Sequence, residues 1–314
     1  MTMHDSPGTD RVRTPSEGVF FADGLVTLYC GSADQVLAGM PAGSVDCIVT
    51  SPPYYGLRDY QIEGQIGIEP TPAGYIEALA VVFAQARRVL ADHGTLWLVL
   101  GDSYSTKKRG SDNGWESSRL SNPARVQKMQ SAAMRQGRVV CFDRKAKNLL
   151  GMPWRVAFAL QDQGWILRNE IVWAKSNPMP ESVTDRLSCS HEKVFLFSKA
   201  NRYHFNKSAV GRNPGDVWVI PTVPFAGAHF AVFPPELPRR AIAAGCRPGG
   251  VVLDMFSGSG TTGLAAAELG HRYVGVDLNP AYLELSLRTR LEQPSLTAQA
   301  NAAIVNEYDN KKGA

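Results

Sequence analysis

A chain of 314 residues is long enough for one large α/β domain or two modest ones, and its 44% hydrophobic and 20% charged residues describe an ordinary globular protein. Disorder throughout, collagen and coiled coil are excluded by that arithmetic, and no apolar run approaches the ~18 residues of a membrane span. Thirty-three Lys and Arg against 29 Asp and Glu leave a net charge of only +4, too mild by itself to imply a nucleic-acid partner.

Residues 1–18 hold no apolar stretch, so the sequence predicts a frayed, disordered arm rather than a signal peptide or anchor, and with it a cytoplasmic location. Val26–Cys30, Val45–Thr50 and Thr95–Leu100 are short β-branched or apolar runs, which read as buried strands. Before the third of them, Tyr75, Leu79, Val82, Phe83, Ala86 and Leu90 fall at offsets 0, 4, 7, 8, 11 and 15, one face of a helix. Residues 105–147 differ: they are rich in Ser, Asn, Gly, Arg and Lys and lack apolar periodicity. Eleven basic against three acidic residues give this stretch +8 and leave −4 for the rest. A basic, mobile insertion is expected there.

A helix is expected over Leu149–Gln163, then strands at Ile171–Ala174, Val194–Phe197 and Val217–Ile220, interrupted by the loop SNPMPESVTDR. Helices over Pro235–Ala244, Thr261–Leu269 and Pro280–Leu291 then alternate with strands at Val251–Met255 and Tyr273–Asp277, with Pro235 and Pro280 suited to a first helical turn. This alternation predicts an α/β fold, a mixed and mostly parallel sheet with helices on both faces. Trp154, Trp165 and Trp173 are expected in its core. The five cysteines form no C-x-x-C pair and read as free thiols, and Cys189 with His191 has no second pair to complete a metal site.

Two loops carry chemistry. In VVLDMFSGSGTTGLAAAELGHRYVGVDL a strand ends at Asp254, a glycine-rich turn follows, and a second strand ends at Asp277. Gly258, Gly260 and Gly263 satisfy G-x-G-x-x-G, and Asp277 lies 19 residues past the first glycine. Glycines let a ligand approach the backbone, and a carboxylate at a strand end accepts from ribose hydroxyls. An adenosine-bearing ligand is the common denominator, and a nicotinamide oxidoreductase would satisfy this loop as well. The second loop, SVDCIVTSPPYYGLRDY, runs a strand straight into Ser51, Pro52, Pro53 and Tyr54. Consecutive prolines fix their own φ and extend the residue before them, so the loop is stiff.

Taken together the loops resemble the amino-methylating DNA methyltransferases, over roughly Gly24–Tyr104 and Asn148–Leu291. TSPPYYGLRDY is similar to the family's catalytic motif, and DMFSGSGTTGLAA to its cofactor loop. HFAVFPPELPRRAI resembles the segment preceding that loop, and LYCGSADQVL the segment whose acid, Asp34, lies near the adenine. Because the catalytic motif comes first, the order resembles the β subclass, a circular permutation of the Rossmann-like methyltransferase fold.

The resemblance implies S-adenosylmethionine as cofactor and double-stranded DNA as partner, with no membrane association. It implies Ser51, Pro52, Pro53 and Tyr54 as catalytic, with the Ser51 hydroxyl and Pro52 carbonyl accepting from the amine and Tyr54 stacking on a flipped base. It assigns the cofactor to Asp34, to His229, Phe230 and Phe233, to Asp254, Phe256, Ser257, Gly258, Ser259, Gly260, Thr261 and Thr262, and to Asp277. Lys107, Lys108, Arg109, Arg119, Arg125 and Lys128 are the expected DNA contacts. Residues 19–104 and 148–291 would form the core, 175–227 a target-recognition region within it, and 292–314 a tail. None of the cysteines follows a proline, which argues against cytosine carbon-5 chemistry. Serine at the first motif position resembles the cytosine-N4 enzymes more than the adenine-N6 ones. Whether a cognate restriction endonuclease accompanies it stays open, as does the oligomeric state, a homodimer included.

Overall fold

The computed structural model describes residues 18–105, 145–223 and 232–292. Its strands are β1 (Val19–Ala22), β2 (Val26–Cys30), β3 (Val45–Thr50), β4 (Leu90–Leu100), β5 (Ile166–Ala174), β6 (His191–Ser198), β7 (Val217–Val219), β8 (Val251–Asp254) and β9 (Arg272–Asp277). They form one sheet in the order β1-β2-β9-β8-β3-β4-β6-β5-β7. β2, β9, β8, β3 and β4 are mutually parallel, β1 runs antiparallel to β2, and β6 is antiparallel to both β4 and β5. β3 is buried along its whole length, as a central strand covered on both faces must be.

Helices α1 (Ala33–Gly39), α2 (Pro72–Val89) and α3 (Met152–Asp162) cover one face; α4 (Glu236–Gly245), α5 (Thr261–Glu268) and α6 (Pro280–Ser286) cover the other. α2 starts where Thr71 accepts from the Gly74 amide and Pro72 occupies the first turn. Its Arg88 closes the end of α1 by donating to the Met40 and Ala38 carbonyls at 2.9 and 3.1 Å. α6 runs on into a single π-helical turn, Leu287–Leu291.

The chain crosses from β3 through α2 to β4 on one side and from β8 through α5 to β9 on the other, so the connections diverge between β8 and β3. That divergence is where α/β sheets bind ligands, outside the carboxyl ends of the strands. The glycine-loop strand sits beside the Pro-Pro strand yet lies about 200 residues later in sequence, which is the permuted order.

Three differences from the sequence reading have physical reasons. β1, an edge strand of four residues, is too short to give a pattern. α1, at seven residues, is too short to set up a helical period. β4 begins at Leu90, not Thr95, because Asp92, His93 and Gly94 hide an irregular start where its register with β3 shifts. The stretch 175–227, offered by the sequence for target recognition, contains the two strands expected there, β6 and β7, which lie on either side of β5 in the sheet. Trp165 and Trp173 are buried, and Trp154 packs edge-on against Phe195 at the margin of the core. No helix among the described residues is long and apolar enough to cross a membrane.

Candidate active site

The ends of β3 and β8 are tied to one another by a buried carboxylate. Asp254 accepts from Thr50 Oγ1 at 2.7 Å, from Thr262 Oγ1 at 2.7 Å and from the Phe256 amide at 3.0 Å. Burial pushes its pKa up to about 6, against the pull of those three donors. Above this knot opens a cavity of about 170 Å³, walled by both chemistry-bearing loops.

On one wall the glycine loop turns at Gly258, whose φ of +50° is left-handed. Its amide donates to Asp277 Oδ2 at 2.8 Å, and the Asn279 amide donates to Oδ1 at 2.8 Å. Burial raises Asp277 to about 6 as well. A Cβ added at Gly258 would meet nothing nearer than the Phe256 carbonyl at 3.9 Å, so the backbone lies open to a ligand. The other two glycines serve packing instead. A Cβ at Gly260 would stand 2.9 Å from Ser286 Cβ, and one at Gly263 2.6 Å from both Leu291 and Tyr273. Arg290, from the π turn, donates to the hydroxyls of Ser259, at 3.1 Å, and Thr261. Tyr60 and Tyr282 meet edge to face at 6.3 Å on the same wall, beside Phe233 and Phe256.

The opposite wall is Ser51, Pro52, Pro53 and Tyr54. Tyr75 of α2 donates to the Pro53 carbonyl at 2.8 Å, and the Gly56 amide donates to the Gly67 carbonyl at 2.8 Å. Gly67, at φ +105°, comes so close that a Cβ would lie 3.2 Å from Pro53 Cβ and from the Tyr54 carbonyl. Nothing among the described residues donates to the Pro52 carbonyl. The Tyr54 ring lies over Gly101 at the end of β4, where a Cβ would stand 2.5 Å from Tyr54 Cε2. Its hydroxyl donates to Glu192 Oε2 at 2.5 Å, and Ser51 Oγ donates to that hydroxyl at 3.5 Å. Burial and the Glu192 charge hold the Tyr54 pKa well above the usual phenol value, so it stays a neutral phenol.

All four residues expected to be catalytic therefore share one cavity with Phe233, Asp254, Phe256, Ser257, Gly258, Ser259, Thr261 and Asp277. Three residues expected at the cofactor stand off its wall, for identifiable reasons. Gly260 is turned into the α5–α6 contact, Thr262 is fully buried beneath Asp254, and Asp34 is engaged by Ser32 on α1 while Gly31, Ser32 and Ala33 line the cavity. His229, Phe230 and the six basic candidates from Lys107 to Lys128 lie outside the described residues. The segment bearing those six leaves and returns through one neck, with the Ser105 amide on the Asn148 carbonyl at 2.9 Å and the Lys147 amide on the Ser105 carbonyl at 2.7 Å. Ser103 Oγ in turn donates to the Tyr55 carbonyl at 3.2 Å, which sets that neck beside the Ser-Pro-Pro-Tyr loop.

Sequence reasoning passed over Tyr75, Gly67, Gly101, Glu192 and Arg290. A glycine directly after a strand is a weak pointer to close approach, and Gly101 offered one. Glu192 had no such pointer, because only the sheet register brings it to a tyrosine 138 residues away.

A family model described as DNA methylase (N6/N4 methyltransferase) matches residues 45–288. The chain is 46% identical over 288 residues to the Type II methyltransferase M.XycI of Xanthomonas campestris pv. cyanopsidis, covering 89% of this chain and 91% of that protein. Its fold is similar to that of the cytosine-N4-specific PvuII DNA methyltransferase, with a TM-score of 0.62 at 20% identity over 84% of this chain and 85% of that one. It is also similar to TTHA0409 of Thermus thermophilus, complexed with S-adenosyl-L-methionine, with a TM-score of 0.57 at 25% identity over 83% and 91% of the two chains.

Proposed function

As this chain belongs to the DNA methylase family of N6/N4 methyltransferases, we propose that it moves a methyl group from S-adenosylmethionine to the exocyclic N4 of cytosine in duplex DNA. One observation carries the reading: Ser51, Pro52 and the open backbone at Gly258 face a single cavity at the ends of adjacent strands. Cytosine is preferred to adenine because Ser51 at the first position of the motif resembles the cytosine-N4 enzymes. A nicotinamide oxidoreductase would use the glycine loop but leave the stiff Ser-Pro-Pro-Tyr wall without a task. Given M.XycI, a Type II methyltransferase, we take the chain for the modification partner of a restriction endonuclease.

The residues fit the cofactor. Gly258 leaves room at the backbone, Asp277 keeps acceptor capacity for ribose hydroxyls beyond its two amide bonds, and Phe233 and Phe256 supply apolar wall. Bound there, S-adenosylmethionine supplies an electrophilic methyl group on a sulfonium.

The chain's own residues prepare the nucleophile. An exocyclic amine is poor because its lone pair is delocalised into the ring. Acceptors aimed at its N–H bonds draw that pair back without forming a free anion, and they act most strongly when fixed in advance. Ser51 Oγ and the Pro52 carbonyl are those acceptors. The prolines and the Tyr75 bond to Pro53 hold them still. The target atom is out of reach inside a duplex, so the base must leave the stack, and the Tyr54 ring is the surface for it. The basic segment 105–147, tethered beside Tyr55, then holds phosphates.

The test is nucleoside mass spectrometry of duplex DNA treated with the enzyme and S-adenosylmethionine. N4-methylcytosine is expected. N6-methyladenine would transfer the same cavity to the adenine reaction, and unmodified DNA would end the proposal.

A further inference from the structure

Glu192 belongs to no motif, yet it sits at the second position of β6, opposite Trp173 of β5 and next to Lys175. Its two oxygens are divided: Oε1 accepts from Lys175 Nζ at 2.5 Å, and Oε2 accepts from the Tyr54 hydroxyl at 2.5 Å. Both charged side chains are largely shielded, at 21% exposure for Lys175 and 17% for Glu192. Lys175 Nζ also stands 5.0 Å from the centre of the Trp173 ring, which fixes the ammonium from a second side.

This arrangement gives the hydroxyl chain a direction. An ionised carboxylate offers only acceptors, so Tyr54 must give its proton to Glu192. The Tyr54 oxygen is then left to accept, and Ser51, at 3.5 Å, turns its own proton toward it. The lone pairs of Ser51 Oγ are thereby kept for an incoming N–H. With the carboxylate gone, Tyr54 can donate to Ser51 instead. That takes one of the two lone pairs of Ser51 Oγ and frees the Ser51 proton to face the amine, the wrong polarity for an acceptor.

We propose that Glu192, held by Lys175, is a positioning residue that orients the Ser51→Tyr54→Glu192 chain and so presents Ser51 as a hydrogen-bond acceptor to the target amine. The inference rests on the catalytic reading of Ser51 above and adds to it a residue that touches neither cofactor nor substrate.

Glu192→Gln tests it with almost no change of shape. The amide oxygen goes to Lys175, which can only donate, so the amide N–H₂ faces Tyr54 and drives its proton toward Ser51. Single-turnover methyl transfer at saturating DNA and cofactor should fall about tenfold or more, with cofactor Kd within about twofold of wild type. Tyr54→Phe removes the misdirected donor, so Tyr54→Phe/Glu192→Gln should be faster than Glu192→Gln alone and equal to Tyr54→Phe. A merely structural role would give no such rescue. The proposal is overturned if Glu192→Gln turns over at the wild-type rate, if the double variant is no faster than Glu192→Gln, or if Glu192→Gln loses cofactor binding and melts early. Wild-type protein that labels no DNA would instead count against the function itself.

Discussion

The two walls of the cavity are built by opposite means. The glycine loop is held by its own neighbourhood: Asp254 lies just before the turn, Asp277 ends the next strand, and Arg290 closes from the helix after that. The Ser-Pro-Pro-Tyr loop leans on remote elements: Tyr75 from α2, Gly101 from the end of β4, and Glu192 from β6. A wall that binds a common cofactor can be a self-contained unit. A wall that must hold two oxygens still for a reaction needs bracing from several directions, because small misplacement costs rate steeply.

Substitutions should separate the walls. Asp277→Ala removes a charged acceptor and the partner of the Gly258 amide, and should weaken cofactor binding about 10- to 100-fold while kcat at saturating cofactor stays within a few-fold, measured by titration and steady-state kinetics. Gly101→Ala acts on the other side. Its Cβ must displace the Tyr54 ring, and turnover should fall about tenfold with cofactor Kd unchanged. Gly263→Ala should do neither but destabilise the fold by about 1–3 kcal/mol in chemical denaturation, since its Cβ meets Leu291 and Tyr273. Loss of turnover in Asp277→Ala at saturating cofactor, or loss of cofactor binding in Gly101→Ala, would erase the division.

Acid gives a smaller effect, of two signs. Asp254 and Asp277 sit at about 6 in the folded chain, above the ordinary carboxyl value of about 3.9, so the native state binds protons more tightly than the unfolded one. Their contribution to stability is therefore fully present below about pH 4 and is lost as pH rises through 6. Melting temperature should rise on their account between pH 7 and 5, and Asp254→Asn should flatten that rise. Cofactor affinity should move the other way, falling by at most about tenfold per pH unit below 6 as Asp277 is protonated, and not in Asp277→Asn. The smallest effect lies outside both walls. Neutralising Lys107, Lys108 and Arg109 should lower the salt slope of DNA binding by about one for each phosphate that is no longer neutralised.

The same contrast explains what could be read from the chain alone. The glycine loop and Asp277 were legible because their spacing is short and each residue type has a local reason. The central strands were legible because burial on both faces leaves mostly apolar or β-branched runs, as in β3, apart from Asp46, and in β8 up to Asp254. Ser51 to Tyr54 could be found as a stiff loop, but their supports could not, since Glu192 and Gly101 reach Tyr54 only through the register of β4 with β6. The separate duties of the three glycines also needed the folded structure: one motif uses Gly258 on the ligand side and Gly260 and Gly263 in packing. Asp34 illustrates the converse, a plausible acid whose backbone neighbours, not its carboxylate, form the wall.

The most direct test of the account follows tritium from methyl-labelled S-adenosylmethionine into duplex DNA, for wild type and Ser51→Ala side by side, with cofactor Kd measured on both. Wild type should label the DNA, and Ser51→Ala should label it about 100-fold more slowly at an unchanged Kd. Equal labelling by the two proteins would contradict the claim that Ser51 Oγ prepares the amine for attack.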